Sequence, residues 1–395
     1  MAKKNIGKTV IFSICFSFLL VAGVANAEIK IGMGGIMSGP FAAWGLDGKA
    51  GMEMAIEEIN ANGGIKGEKV VLLARDDQLD TTKAALQAEE LIYKEKVIVY
   101  FASTITGSAK ATVPVAIKAK IPAILAGQQS DITCAWQCVD SKDKNCCNPW
   151  VFRFSGTVSQ QADAMVKMAR DQLKGKRIAL MHDNIGYGLE WKADLTKAAQ
   201  ANNMEFVASE MFPLMEIDYT AALSRVKKSN PDVIVVGTLG APAGRIYNTM
   251  KKLGMNQPLL LCEAAMELAF RTTAQDMGDG AYVAMTQNSP YDKDNPKFQA
   301  FAKKWSEKFS DIGYSETLLT QPFGFQFYDA MMCLAKVIEA VGKDPEKIRE
   351  GLENLGSCEG ISGVTYIFNK DKHCAMSHLV PQMYQFKNGT VIKPN

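Results

Sequence analysis

Residues 29–66 decide the fold: IKIGMGGIMSGPFAAWGLDGKAGMEMAIEEINANGGIK. Their first seven residues, Ile29–Gly35, are a short apolar run that predicts a β-strand. A Ser-Gly-Pro turn follows, and a helix is predicted after it from apolar residues at helical spacing: Ala50, Met54, Ala55 and Ile59. A strand, a sharp turn and a helix whose first amides face open space form an anion site. The stretch therefore predicts an α/β protein that captures a small solute.

The segment before this stretch, residues 1–27, has the pattern of an export signal. Three lysines precede an apolar run, and the segment ends in Ala-Asn-Ala, a small-residue cleavage site. A membrane anchor is the alternative, but the apolar run is shorter than the ~20 residues that span a bilayer. We therefore expect cleavage after Ala27 and a soluble protein in the periplasm.

Length and charge limit the classes of function. Residues 28–395 are enough for two domains of ordinary size. The chain has 44 basic and 42 acidic residues, and three of the lysines lie in the export signal, so the mature chain has a net charge of −1. This balance gives no indication of binding to nucleic acid or to an anionic membrane.

Cysteine usage is unusual. Eight cysteines follow Ala27, and an even number in an exported protein favours disulfides. Four of them lie in one polar loop: Cys134, Cys138, Cys146 and Cys147. Short-range disulfides are favoured there, with zinc ligation and free thiols as alternatives. Cys358 and Cys374 flank a glycine-rich strand region and are a further candidate pair, whereas Cys262 and Cys333 lie in apolar runs and are interpreted as buried free thiols.

Strands and helices alternate along the chain. In the first half, strands are predicted at 29–35, 69–75, 97–101 and 123–126, with helices at 48–62, 81–94 and 107–118. After a split near 149–156 the pattern restarts, with strands at 177–182, 205–211, 232–237, 258–262 and 281–286, and helices at 187–202, 219–229 (N-cap Asp218) and 241–253. The last part has helices at 296–309, 317–341 and 344–354, then strands at 363–368 and 383–391 around Asn388-Gly389. Such alternation predicts two successive α/β units with parallel sheets.

Signatures of catalysis are missing from the sequence. Gly32 and Gly34 follow the first strand as in a dinucleotide-binding turn, but the third glycine of that motif would fall at Met37. The chain contains no phosphate-binding loop and no nucleophile elbow, and its three histidines lie in no local catalytic signature. We therefore expect a binding protein, without a cofactor or a metal, and not an enzyme.

Several segments together resemble the periplasmic leucine/isoleucine/valine-binding protein family. They include the exported start IKIGMGGIMSGPFAAWG, then EEINANGGIKG, LLARDDQLD, IPAI, WVFRFSGT, RIALMHDNIGYG, DYTAAL, PDVIVVGT and FYDAM, which cover nearly all of the mature chain. Members of this family are receptors of ABC importers with the type I periplasmic-binding fold. The resemblance implies a monomer that passes a small solute to permease subunits and has no nucleic-acid partner.

The same resemblance implies the domain organisation: two Rossmann-like α/β lobes with parallel sheets, joined by three crossover strands. The crossings are expected near Phe154, Thr286 and Gly363. Lobe 1 would comprise 28–153 and 288–361, and lobe 2 would comprise 154–287 and 362–395. The solute would be trapped between the lobes by a hinge motion.

Eight positions match the ligand pocket of the family: Trp44, Thr106, Gly127, Gln129, Tyr187, Leu239, Glu263 and Phe323. Thr106, at a helix start, would bind a carboxylate with the neighbouring amides, and Ser103 is the alternative in register. Glu263, at the end of a strand, would receive an ammonium.

The remaining positions define the rest of the predicted pocket. Gly127 and Gln129 would offer backbone and side-chain groups, and an apolar side-chain region would be lined by the others: Trp44, Tyr187, Leu239 and Phe323. The implied ligand is an apolar or aromatic amino acid. Gln129 is longer than the small residue or threonine common in the family. A non-amino-acid ligand, such as an aromatic carboxylate or amide, is therefore the alternative. A sensory module is the third alternative.

Overall fold

The structure is a computed structural model that describes residues 1, 28–127, 148–286, 295–309, 323–376 and 378–394. The export signal, Gln129 and the four-cysteine loop therefore lie outside the described residues. No helix in the described part of the chain is both long enough and apolar enough to cross a membrane.

A five-stranded parallel sheet forms from the first part of the chain. Its strands are β1 (Ile29–Gly35), β2 (Val70–Asp76), β3 (Val99–Phe101), β4 (Ala123–Leu125) and β5 (Val151–Arg153), in the order β2-β1-β3-β4-β5. Between them lie α1 (Ala43–Ala61), α2 (Thr81–Glu89, continued by a π-turn at Glu90–Lys94) and α3 (Thr106–Ala119). Buried apolar side chains dominate β1, as expected for a strand covered on both faces.

A second α/β unit follows the predicted restart. Its strands are β6 (Arg177–Asp183), β7 (Glu205–Phe212), β8 (Val233–Gly237), β9 (Leu259–Leu261) and β10 (Tyr282–Met285). Its helices are α4 (Val158–Asp171), α5 (Gly186–Ala201), α6 (Thr220–Lys228), α7 (Gly240–Lys252) and α8 (Leu268–Thr273). The N-cap of α6 is Tyr219 and not Asp218, although the Asp218 carboxylate accepts the Thr220 amide at 2.9 Å.

The last part of the chain contributes to both units. It contains α9 (Pro296–Phe309), α10 (Phe323–Val341), α11 (Pro345–Glu353), β11 (Gly356–Glu359), β12 (Thr365–Phe368), β13 (Gln382–Lys387) and β14 (Thr390–Ile392). β11 and β12 pair as an antiparallel ribbon. β13 and β14 form a hairpin whose turn, Asn388-Gly389, has positive φ at both residues, as a type I′ turn requires.

The C-terminal elements add a strand pair to the second sheet and a helix that packs on α1 of the first unit. β13 pairs antiparallel with β10 and extends the second sheet to seven strands, in the order β14-β13-β10-β9-β8-β6-β7. α10 packs directly on α1, so closely that a Cβ at Gly51 would lie 1.8 Å from the Gly324 carbonyl oxygen. The lobe limits given above stay a prediction.

The cysteines depart from the prediction. Cys333 and Cys358 form a disulfide with a Cα–Cα distance of 6.1 Å, and Cys262 is a buried free thiol. The proposed pairing of Cys358 with Cys374 and the free thiol at Cys333 are therefore both wrong. The reason is β11, a strand that the sequence pattern did not predict, because it brings Cys358 against α10.

Candidate functional site

A cleft lies between the two sheets, at the carboxyl ends of their parallel strands. Its empty space, including the part open to solvent, is about 440 Å³. Ten residues line it: Trp44, Thr104, Ile105, Thr106, Gly127, Ile185, Tyr187, Leu239, Ala264 and Phe323. Six of the eight predicted pocket residues are therefore brought together, while Gln129 lies outside the described residues and Glu263 does not line the cleft.

Among the residues that the structure describes, three helices have an N-cap residue that lines this cleft and makes no side-chain cap. The N-cap residues of α3, α5 and α7 are Ile105, Ile185 and Leu239, all in extended conformation and all lining the cleft. Isoleucine and leucine are poor N-caps because they carry no acceptor for the first amides of a helix. By contrast, α2, α4 and α11 have acceptor side chains at their N-caps, and none of those residues lines the cleft.

The three helix starts differ in what their amides bind. At α5, the Asp183 carboxylate accepts the Ile185 and Gly188 amides at 3.2 and 3.1 Å. At α7, the Gly240 amide donates to Glu267 at 2.9 Å. At α3, the amides of residues 106–108 make no hydrogen bond within the part of the chain that the structure describes. The start of α3 therefore leaves its first amides open toward the cleft, where the helix dipole favours negative charge.

Thr106 and Ser103, the two candidates for the ligand-binding hydroxyl near the start of α3, differ in position. Thr106 is the first residue of α3 and lines the cleft. Ser103 is buried, and its hydroxyl accepts the Ile105 amide at 3.2 Å. The geometry thus places Thr106 in the cleft and gives Ser103 a role in shaping the loop before the helix.

Aromatic and aliphatic side chains form the walls of the cleft. From the first unit, the Trp44 and Phe323 rings pack with centroids 5.0 Å apart. From the second unit, Tyr187 and Leu239 close the other side, and both are buried. Burial raises the pKa of Tyr187 well above its usual value, so its hydroxyl stays neutral. These walls are apolar and lie beside the polar start of α3.

Glu263 is buried and is not among the residues that line the cleft. Its carboxylate oxygens accept the Thr286 amide at 3.3 Å and the Thr286 hydroxyl at 2.8 Å, and its own amide donates to Gln161 at 2.9 Å. The next residue, Ala264, does line the cleft. An ammonium-binding role for Glu263 stays a prediction.

Sequence reasoning missed several residues of the site. Three of them lie within two positions of a predicted pocket residue at the start of α3 or α5: Thr104, Ile105 and Ile185. The predicted helix starts therefore indicated this region but not these residues. Glu267 carries no such signal. Its carboxylate accepts the Trp44 indole N–H at 2.9 Å, and burial raises its pKa against the opposing effect of its hydrogen bonds.

The sequence profile described as "Periplasmic binding protein" matches residues 28–389. The chain belongs to this family. One relative, Leu/Ile/Val-binding protein homolog 7 of Brucella melitensis, is 25% identical over 384 residues, which are 94% of this chain and 93% of that protein. These matches confirm the resemblance drawn from the sequence.

Solved periplasmic binding proteins share the fold. LivJ from Streptococcus pneumoniae, in complex with isoleucine, superposes with a TM-score of 0.76 at 25% identity, covering 93% of this chain and 100% of LivJ. A solute-binding protein of an ABC transporter from R. palustris, in complex with 4-hydroxybenzoate, superposes with a TM-score of 0.77 at 22% identity, covering 93% of this chain and 96% of that one. The predicted fold class, two α/β lobes of the type I periplasmic-binding fold, is confirmed.

Proposed function

We propose that this periplasmic binding protein is the receptor of an ABC importer and captures a small carboxylate with an apolar side group. The observation that supports the proposal is the convergence of apolar walls on the start of α3. A ligand carboxylate there would complete the hydrogen bonds of the first amides and of the Thr106 hydroxyl. The apolar body would pack between Trp44, Phe323, Tyr187 and Leu239.

Capture would take place by hinge closure of the two lobes in the periplasm, followed by transfer to permease subunits. In the closed arrangement the starts of α3 and α5 lie face to face, since a Cβ on Gly186 would be 2.9 Å from Cγ2 of Thr106. A ligand held by one helix start therefore lies against the other unit. This arrangement makes binding and closure a single process.

An apolar α-amino acid is the first candidate ligand, and it would be branched-chain or aromatic. The Leu/Ile/Val-binding relative and the isoleucine complex of LivJ support it. The ligand ammonium would be received by Glu263, whose neighbour Ala264 lines the cleft. That carboxylate is held by Thr286 in this structure, so it would share or exchange its donors when the ligand binds.

An aromatic carboxylate is the second candidate. No acidic side chain is among the described residues that line the cleft, and such a ligand needs none. The R. palustris protein in complex with 4-hydroxybenzoate shows that the fold accommodates this chemistry elsewhere. The two candidates differ in one group, the ammonium.

Calorimetric titration with matched ligands separates them. Leucine is compared with 4-methylpentanoate and phenylalanine with 3-phenylpropionate, since each pair differs in the ammonium alone, and benzoate is added as an aromatic acid. If the ligand is an amino acid, Glu263→Gln weakens its binding by roughly 2–4 kcal/mol because a buried charge partner is lost, and it leaves the ammonium-free analogue unaffected.

One further variant and two outcomes complete the test. Thr106→Val, which keeps the shape and removes the hydroxyl, should weaken both members of a pair alike, by about 1.5–3 kcal/mol for a hydrogen bond to a charged group. Tighter binding of the ammonium-free acids would favour the second candidate. Failure of every carboxylate in the panel to bind would refute the proposed function.

A further inference from the structure

Glu267 is a buried carboxylate that the proposed function does not use. It lies between the 3₁₀ turn Glu263–Met266 and α8, and 9% of its surface is exposed. Its two oxygens have different partners: Oε1 accepts the Trp44 indole N–H at 2.9 Å, and Oε2 accepts the Gly240 amide at 2.9 Å. Glu267 does not itself line the cleft, but its partner Trp44 does, so it can act on a ligand through Trp44.

The two partners of Glu267 belong to different units. Trp44 lies in α1, which follows β1 of the five-stranded sheet, and its ring packs on Phe323. Gly240 is the first residue of α7, which follows β8 of the seven-stranded sheet. The bond between Glu267 and Trp44 therefore spans the cleft and exists only while the two units lie close together.

Capping of α7 explains one of these bonds but not the other. Gly240 and Glu267 lie in the same unit, so their hydrogen bond persists when the units separate. A Cβ at Gly240 would lie 2.9 Å from Oε2 of Glu267, and the glycine thus lets the carboxylate reach the helix start. With one oxygen fixed on α7, the other is already directed at Trp44 before closure.

We propose that Glu267 is a positioning residue that latches the closed cleft by holding the Trp44 indole over the bound ligand. The inference rests on the proposed function, since it assigns a role in retaining the ligand. The bond holds the two units together, and it must break before the ligand leaves. Its loss therefore raises the dissociation rate and changes the association rate little.

The test is a double-mutant cycle on the full chain, read by stopped-flow dissociation of the tightest ligand from the panel above. Trp44→Phe keeps an aromatic ring and removes the N–H, and Glu267→Gln keeps the shape but leaves one acceptor for two N–H donors. We expect each substitution to speed dissociation roughly 10- to 100-fold. The double variant should be no faster than the faster single variant, because both remove the same bond.

Glu58→Gln is the matched control. The Glu58 carboxylate accepts the Tyr328 hydroxyl at 2.9 Å between two helices of the first unit, so its loss should leave dissociation unchanged. A wild-type rate in Glu267→Gln, or effects that multiply in the double variant, would overturn the latch.

The latch can be tested separately from the proposed function. If no ligand of the panel binds the wild-type protein, the proposed function fails, and the latch is judged by small-angle scattering of the ligand-free chain. Glu267→Ala should then have a larger radius of gyration than both the wild type and Glu58→Gln. Equal radii would overturn the latch.

Discussion

The disulfide between Cys333 and Cys358 ties α10 to β11 across a sequence separation of 25 residues. In the chain-entropy description, closing a loop of this length removes about 12 cal/mol/K from the unfolded chain, or roughly 3.5 kcal/mol at room temperature. We therefore expect Cys333→Ala/Cys358→Ala to lower the free energy of unfolding by this amount, plus the cost of deleting two buried sulfur atoms.

Urea unfolding without reductant, followed by circular dichroism, measures this loss. Cys262→Ala is the matched control because it deletes a buried thiol that belongs to no disulfide. Twice the control effect accounts for the two deleted sulfur atoms, and the remainder is the contribution of the cross-link. A double variant that loses no more than twice the control would refute the reasoning.

Three further predictions concern other sites. Burial raises the pKa of Asp329 to about 7 from 3.8, so the folded protein holds this proton more tightly than the unfolded chain, and the free energy of unfolding declines as pH rises from about 4 through 7. Asp329→Asn should remove up to roughly 1.4 kcal/mol of that decline per pH unit. Urea unfolding at several pH values between these limits measures this, and the same pH dependence in the variant as in the wild type would contradict it. Gly51→Ala should destabilise the protein by about 1–3 kcal/mol, because its methyl group meets the Gly324 carbonyl oxygen at 1.8 Å, and thermal unfolding measures this. Gly186→Ala should weaken ligand binding without loss of stability, since its methyl group would meet Thr106 at 2.9 Å across the cleft; unchanged calorimetric affinity would contradict it.

The sequence was sufficient for the elements with the clearest apolar pattern. The limits of β1 were predicted to the residue, because an apolar run is bounded by Glu28 and by the turn after it. The sequence pattern predicts the start of α1 at 48, whereas the helix begins at Ala43. Gly45 is nevertheless helical, and a Cβ on it would lie 1.9 Å from the Ile36 carbonyl oxygen, so tertiary packing overrides propensity.

The long-range pairings of the site could not be read from the sequence. β11 has the polar sequence GSCE with one buried residue, so no periodicity marks it as a strand, and the partner of Cys358 stayed hidden. The bond from Trp44 to Glu267 joins residues 223 positions apart, and nothing local distinguishes Glu267 from a solvated glutamate. Six pocket residues could be named because the resemblance to the leucine/isoleucine/valine-binding family implies their positions, and these positions lie where strand ends and helix starts converge.

The chain passes from the second unit back to the first and then to the second again. Both units therefore depend on C-terminal elements for their completion. The five-stranded sheet is finished at residue 153, but the face of α1 stays uncovered until α10 has been made. The edge of the other sheet at β10 waits for β13, which ends at Lys387. Neither half is therefore complete until the C-terminal elements have been made, and such distant pairings fold slowly.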